Sequence, residues 1–271
     1  MTISMDLPQG SYAITGGDHG KRRLNLLAQI FQPTTLRLLK DAGLRSGDQC
    51  LDLGCGGGHV ALDMARITGP DGSVTGTDFD PQIVELARQD AQHAGFANID
   101  YHVADALAFD GGPYDLIYAR FLLSHLSEPE HVLARMRQLA RPGGRIVIED
   151  IDMSGSYTHP HDPAHARFAG LYTAAVRRGG GDADLGRRLP ALARAAGLRD
   201  IHCTVFQLVH ASGPAKHLTA VTMDTIRSAV LRHGLATGPE IDSILTRMHA
   251  FAHDPATLVA LPRIVQVWGI A

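Results

Sequence analysis

Cysteine is scarce in this chain. Its 271 residues hold three, Cys50, Cys55 and Cys203, and no two of them form a C-x-x-C pair. A disulfide framework and a zinc knuckle therefore have no support. Cys50 and Cys203 lie in apolar runs, where a thiol acts as a small buried hydrophobe. Excess positive charge is also lacking, since the formal net charge is -3. A nucleic-acid partner needs a basic footprint, so none is expected. Lys21-Arg22-Arg23 is a short basic run near the start, and a solvated helix face explains it as well as a phosphate site does. No segment approaches the ~18 apolar residues of a membrane span, and the N-terminal stretch lacks a signal-peptide core. A cytoplasmic protein is the default expectation. Internal repeats and long low-complexity tracts are missing as well.

What is present is enough apolar sequence, 45%, to bury a sizeable core in one large domain, or in a domain with a cap. Apolar positions at helical spacing fill 21–44, and Pro33 is expected to divide them into two helices. From residue 49 strands and helices alternate. Strands are expected at 49–53, 73–77, 99–103, 114–119 and 145–151, with helices near 58–67, 81–94 and 129–140. This alternation predicts a doubly wound, mostly parallel α/β sheet. Beyond it the pattern loosens. Residues 152–163 read as a polar loop, 164–178 and 186–196 as helices, and 201–209 as a strand. Two helices are expected over 214–233 and 238–252, and a last strand over 264–270. The resulting organisation is an N-terminal helical cap (1–48), a core (49–151), a lid or substrate segment (152–198) and the last strands with a helical insert at 214–252 (199–271).

The informative stretch is Leu51-Asp52-Leu53-Gly54-Cys55-Gly56-Gly57-Gly58, at a strand-to-helix junction. Glycines let backbone approach a ligand, and the helix start offers free N–H groups. Asp78 closes the second strand, placed to accept hydrogen bonds from ribose hydroxyls. Asp105 follows the third strand, where a second acid can meet an adenine amine. Asp52 interrupts an apolar strand and needs a partner, because an unpaired buried charge is costly. Gly56-x-Gly58-x-x-Ala61 also fits a dinucleotide fingerprint. Asp52 inside the strand, and the want of a second nucleotide-binding half, count against that reading.

Taken together, Leu51–Gly58, Thr75-Gly76-Thr77-Asp78-Phe79-Asp80, Ala104-Asp105-Ala106, Tyr114-Asp115-Leu116-Ile117 and Leu139–Arg145 resemble, in order, the motifs of class I S-adenosylmethionine (SAM)-dependent methyltransferases. The resemblance implies a seven-stranded Rossmann-like sheet and SAM as cofactor. It sets Gly54, Cys55 and Gly56 against the methionine part, Asp78 on the ribose, Phe79 beside the adenine, and Asp105 and Ala106 on its edge. Ala119 and Arg120 would line the site after the fourth strand. Tyr12 and Arg23 resemble a cap that closes over the methionine carboxylate.

Methyl transfer from a sulfonium needs alignment and exclusion of water more than a strong base. His125 lies where an acceptor would sit and is the candidate proton acceptor; packing within a helix is the alternative. Of Glu149, Asp150 and Asp152, one is expected to face the pocket and at least one to cap the following segment. His159, His161, Asp162 and His165 cluster, but their prolines favour a loop, so no metal is expected. The apolar residues of 214–252 supply core, with some lining a pocket or a homodimer face. The expected acceptor is a small apolar or aromatic metabolite of secondary, quinone or lipid metabolism, methylated on oxygen, nitrogen or carbon. A SAM-binding cyclase and a nicotinamide-dependent oxidoreductase are the alternatives. An RNA or protein substrate is disfavoured, since no Asn-Pro-Pro-Tyr-type motif or RNA-binding module is present.

Overall fold

The computed structural model describes residues 17–271; Tyr12 lies outside them. The first element is one helix, α1 (Gly17–Asp41), where two were expected. Pro33 removes an amide donor from its interior, at a cost of about 3 kcal/mol. Packing on two sides offsets this: Leu27 and Phe31 enter one apolar cluster, while Leu38 and Leu39 enter another. The Thr34 hydroxyl also donates to the Phe31 carbonyl at 2.8 Å.

The alternating region folds as expected. It comprises β1 (Gln49–Leu53), α2 (His59–Thr68), β2 (Ser73–Asp78), α3 (Pro81–His93), β3 (Ile99–Val103), β4 (Tyr114–Arg120), α4 (Pro129–Leu139) and β5 (Ala140–Asp152). There follow β6 (Tyr157–His159), α5 (Pro163–Arg178), α6 (Leu189–Ala195), β7 (Arg199–Phe206), β8 (Val209–His210), α7 (Leu218–Arg232), α8 (Gly238–His253), β9 (Leu258–Ala260) and β10 (Arg263–Ile270). The main sheet has seven strands in the order β3-β2-β1-β4-β5-β10-β7. Only β10 runs against its neighbours β5 and β7. The order reverses between β1 and β4, and ligands of such sheets bind above the carboxyl ends of the strands at that switch. Among the described residues no helix is long and apolar enough to cross a membrane.

Two details depart from expectation. The strand expected at 201–209 breaks at Gln207. Its side-chain amide donates to the carbonyls of Gly155 (2.7 Å) and Leu261 (2.8 Å), turning the chain out of the main sheet. The supposed loop 152–163 contains β6, which joins β9 and β8 in a second, three-stranded antiparallel sheet. Strands of two or three residues carry no periodicity to read.

A buried polar knot fastens α1 to the sheet. Glu149, fully buried on β5, accepts hydrogen bonds from Thr35 (2.7 Å), Gln266 (2.8 Å) and the Tyr118 hydroxyl. Thr35 in turn accepts from Arg120 at 3.1 Å. Burial, reinforced by the Glu149 charge, raises the Tyr118 hydroxyl well above the ordinary tyrosine range, so it remains a donor. Removing the carboxylate would strand three buried donors. Glu149→Ala should therefore destabilise the fold by about 3–5 kcal/mol, read as a lower urea midpoint at unchanged m-value. A midpoint within experimental error of wild type would contradict this role.

Candidate functional site

The site grows from the end of β1. Gly56 and Gly58 both have left-handed backbones, with φ of 50° and 74°. Gly58 also leaves no room for a Cβ, which would strike the Tyr101 ring and the Ala87 methyl. The Tyr101 hydroxyl donates to the Gly58 carbonyl at 3.3 Å. The Cys55 N–H donates to Thr77 at 2.8 Å, and burial drives the Cys55 thiol far up, so it is an inert spacer.

Asp78 closes β2 and fastens this loop. Its Oδ2 accepts from the Gly56 N–H (2.9 Å) and its Oδ1 from the Asp80 N–H (3.1 Å). Burial raises its carboxyl above the usual range. Beside it runs an apolar rim. Phe79, Val103 and Leu107 are 42%, 51% and 42% exposed, unusual for large apolar side chains at strand ends. Asp105 is exposed, and its Oδ1 accepts from the Leu107 N–H at 2.7 Å. Ala106 is half-buried beside it.

Asp52 lies beneath the loop, buried, with Oδ2 lacking any partner among the described residues. Burial pushes its pKa up to about 7, although the Arg120 charge and an N–H at Ala61 pull the other way. Arg120 stacks over the Phe121 ring, 5.6 Å from its centroid. Ala119 is fully buried in the core below.

Next to the loop is a cleft of about 500 Å³, part of it open to solvent. Its walls come from α1 (Arg23, Leu27, Phe31), the ends of β4 and β5 (Phe121, Ile151, Met153), α5 (Phe168, Tyr172), α7 (Leu218, Thr219, Thr222) and the turn before β10. Residues of 152–178 and the first turns of α7 thus stand in one lining with the ends of β4 and β5. Two pairs of consecutive residues form the party wall. A Cβ on Gly56 would meet Leu24, and one on Gly54 would meet Leu122; their neighbours Arg23 and Phe121 line the cavity. Phe121 holds a left-handed backbone, φ 53°, which is strained for an aromatic residue. Its ring packs edge-on against Phe31, centroids 5.4 Å apart.

Arg23 donates from Nε to the Thr222 hydroxyl at 3.3 Å, bridging α1 to α7. His125 is buried in a 3-10 turn, Leu123–His125, and is not among the cavity's lining residues. Burial, with the Arg23 charge acting in the same sense, lowers its pKa to about 3. Its ring meets Tyr172 edge-on at 6.4 Å, so Tyr172 stands at the cavity wall in its place. None of the three acids at the carboxyl end of β5 is among the described lining residues of the cavity, contrary to expectation. Glu149 belongs to the buried knot. Asp150 accepts from the N–H groups of Ser124 (2.9 Å) and Ile151 (2.8 Å), so it caps the turn after β4 and not the following segment. Asp152 pairs with Arg263 (2.9 Å) and Arg187 (3.3 Å). Asp162 caps α5 and contacts His165 at 2.8 Å. Among the described residues no cluster is arranged to hold a metal.

The sequence reading missed Tyr172, Thr219 and Thr222. Thr219 and Thr222 were detectable, being hydroxyls three apart on an otherwise apolar helix face.

Residues 44–175 match a family model described as a methyltransferase domain. The protein is 31% identical over 193 residues to methyltransferase GfsG of Streptomyces halstedii, covering 70% of this chain and 66% of GfsG. It is 34% identical over 143 residues to the O-methyltransferase cnsE of Penicillium expansum, covering half of each. Residues 44–175 belong to the methyltransferase-domain family, on the sheet fold of the SAM-dependent methyltransferases. The fold agrees with the crystal structure of the [4+2]-cyclase SpnF, at TM-score 0.52 and 17% identity, covering 97% of this chain and 88% of that one. The chain spans about half to two thirds of the length of the curated relatives it matches.

A ligand ammonium at Asp52 would make cofactor binding sensitive to pH. With a pKa of about 7 it is half protonated at pH 7. A ligand ammonium near its orphaned oxygen favours the ionised form. S-adenosylhomocysteine should then release on the order of half a proton from this group on binding at pH 7, and its affinity should rise between pH 6 and 8. Calorimetry in buffers of different ionisation enthalpy measures the release. Asp52→Asn should abolish it.

Proposed function

We propose that this protein transfers a methyl group from SAM to a small, largely apolar acceptor held in the cavity beneath α1, α5 and α7. The observation that carries this reading is the party wall. Leu24 and Leu122 touch the glycine loop while their neighbours Arg23 and Phe121 line the cavity, so two ligands bound on either side would meet there.

The residues present suit SAM. Each Asp78 oxygen already holds one loop N–H and keeps a lone pair for a ribose hydroxyl. Phe79, Val103 and Leu107 offer apolar surface that a purine would cover, with Asp105 and Ala106 at its edge. The unpartnered Asp52 oxygen suits an ammonium, near Gly54, Cys55 and Gly56. Ala119 and Arg120 lie behind that loop, where Arg120 supports Asp52 and Phe121. When bound, SAM supplies an activated methyl on a sulfonium. The chain supplies orientation and a dry enclosure, and His125 serves as packing under Tyr172. Among the described residues the lining holds no carboxylate, lysine or histidine to act as a base.

The likeness in fold to a cyclase, and a cavity without such a base, favour one second reading: SAM binding in support of a reaction other than methyl transfer. Production of S-adenosylhomocysteine in the presence of a hydroxyarene panel separates the two.

The ribose assignment is tested by titration. Two charge-assisted hydrogen bonds are worth about 3 kcal/mol or more together, so Asp78→Ala should weaken SAM and S-adenosylhomocysteine alike by on the order of a hundredfold. Calorimetry on wild type and variant measures this. Wild type that binds NAD and ignores SAM would defeat the reading. Equal SAM binding by both proteins would defeat only the placement of the ribose.

A further inference from the structure

Three threonines in α7 and α8 fold their hydroxyls back onto their own helix. Thr222 donates to the Leu218 carbonyl, Thr225 to the Thr222 carbonyl and Thr246 to the Asp242 carbonyl, each at 2.8 Å. Thr219, three residues before Thr222, does not. The carbonyl four residues before it is that of Ala215, which lies in the 3-10 turn Pro214–His217 and already accepts from the Leu218 N–H. Thr219 is 7% exposed, and its hydroxyl oxygen is buried with no hydrogen-bond partner among the described residues. A buried hydroxyl left unpaired costs stability and is rare in folded proteins. Thr219 is also one of the residues that line the cleft between α1, α5 and α7.

The same lining carries four aromatic rings, those of Phe31, Phe121, Phe168 and Tyr172. Phe31 meets Phe121 edge-on with centroids 5.4 Å apart, and Phe168 lies tilted, 6.1 Å from Tyr172. Rings set at such angles present faces and edges, and an aromatic ligand gains from either. The cleft therefore joins an aromatic wall to one hydroxyl with spare donor and acceptor capacity. Hydrocarbon laid over Thr219 would leave that hydroxyl unpaired. A ligand hydroxyl, being both donor and acceptor, satisfies it in either sense.

We propose that Thr219 is a specificity-determining residue of the cleft, which receives a hydroxyl borne on the flat apolar ring of the acceptor and so fixes how that acceptor lies. This deepens the methyl-transfer reading above and rests on it. Thr219 is assigned recognition and no proton transfer. The hydroxyl that is unpaired in the free protein is paired when the acceptor is bound. Such a position has a signature. The isosteric valine should fold at least as stably as threonine, because it removes an unpaired polar group, and should recognise the ligand less well.

The test compares 2-naphthol with 2-methylnaphthalene, which differ in one polar group at nearly equal size. Each is titrated by its own fluorescence on the full chain saturated with S-adenosylhomocysteine. The quantity read is the ratio of their dissociation constants, in which the shared ring cancels. Thr219→Val should shift that ratio against the naphthol by about tenfold, with 2-methylnaphthalene bound as by wild type. Thr219→Ser, which keeps the hydroxyl, should hold the wild-type ratio to within about threefold. S-adenosylhomocysteine affinity, measured by calorimetry, should be unchanged in both variants. In urea, Thr219→Val should unfold at a midpoint equal to or above that of wild type, at unchanged m-value. An unchanged ratio in Thr219→Val would overturn the proposal, as would a Thr219→Ser that shifts the ratio as far as valine does. A lower midpoint or failure to fold in Thr219→Val also overturns it, since the hydroxyl would then have a partner within the protein. So does failure of both naphthalenes to bind while S-adenosylhomocysteine binds. Wild type that binds neither SAM nor S-adenosylhomocysteine defeats the methyl-transfer reading instead, and the naphthalene ratio, read without cofactor, still decides the role of Thr219.

Discussion

The Asp78 carboxylate, gripping the N–H groups of Gly56 and Asp80, sets the geometry of everything above the sheet. β1 and β2 are parallel neighbours, and their register puts Leu53 beside Thr77. The loop leaving β1 therefore starts within reach of the acid that ends β2. Once Gly56 is tied there, Gly58 falls where the α2 helix must begin. Tyr101, coming from β3, packs beneath it and excludes any side chain at that position. Three strands thus converge on one backbone path. The loop is held by groups that belong to the sheet, so its shape does not depend on a ligand being present. Such preorganisation reduces what binding must spend on ordering.

The long α1 helix transmits this order to the other half of the molecule. Leu24 abuts the glycine loop, Arg23 reaches Thr222 on α7, and Thr35 joins Glu149 and Arg120 in the buried knot. Those contacts span more than three turns. Breaking the helix at Pro33 would uncouple the knot from the cavity wall. Packing on both flanks keeps it whole, and that is a tertiary effect which the local sequence cannot express.

This explains which features could be read in advance. Strands β1 to β5 and the last strand were legible because apolar runs end at glycines, prolines and acids with direct physical roles. Asp78 and the glycine loop were legible for the same reason, since their chemistry is local to a few residues. The three-stranded sheet was not, because β6, β8 and β9 are too short to show a period. The roles of Glu149 and Asp150 were not, because strand alternation places them on opposite faces without saying what covers each. His125 shows the limit most clearly. Its position after β4 brings it near the cavity wall, yet its turn directs the ring behind Tyr172 and burial keeps it neutral. Only the path of the chain after Phe121 decides that outcome.

That path is set by Phe121 itself. A left-handed backbone at a phenylalanine costs on the order of 1–3 kcal/mol, and it persists here because several contacts fix it at once. The Phe121 N–H donates to the Glu149 carbonyl at 2.9 Å, Arg120 lies over the ring, and Phe31 meets its edge. The reversal sends residue 121 into the cavity and residue 122 against Gly54. A relaxed, extended continuation of β4 would point successive side chains to opposite faces of the sheet and leave the loop and the cavity without their shared wall. The strain therefore sits where the two compartments have to touch. It is offset by the knot around Glu149 and Arg120, which holds α1 and the sheet on the far side of the same wall.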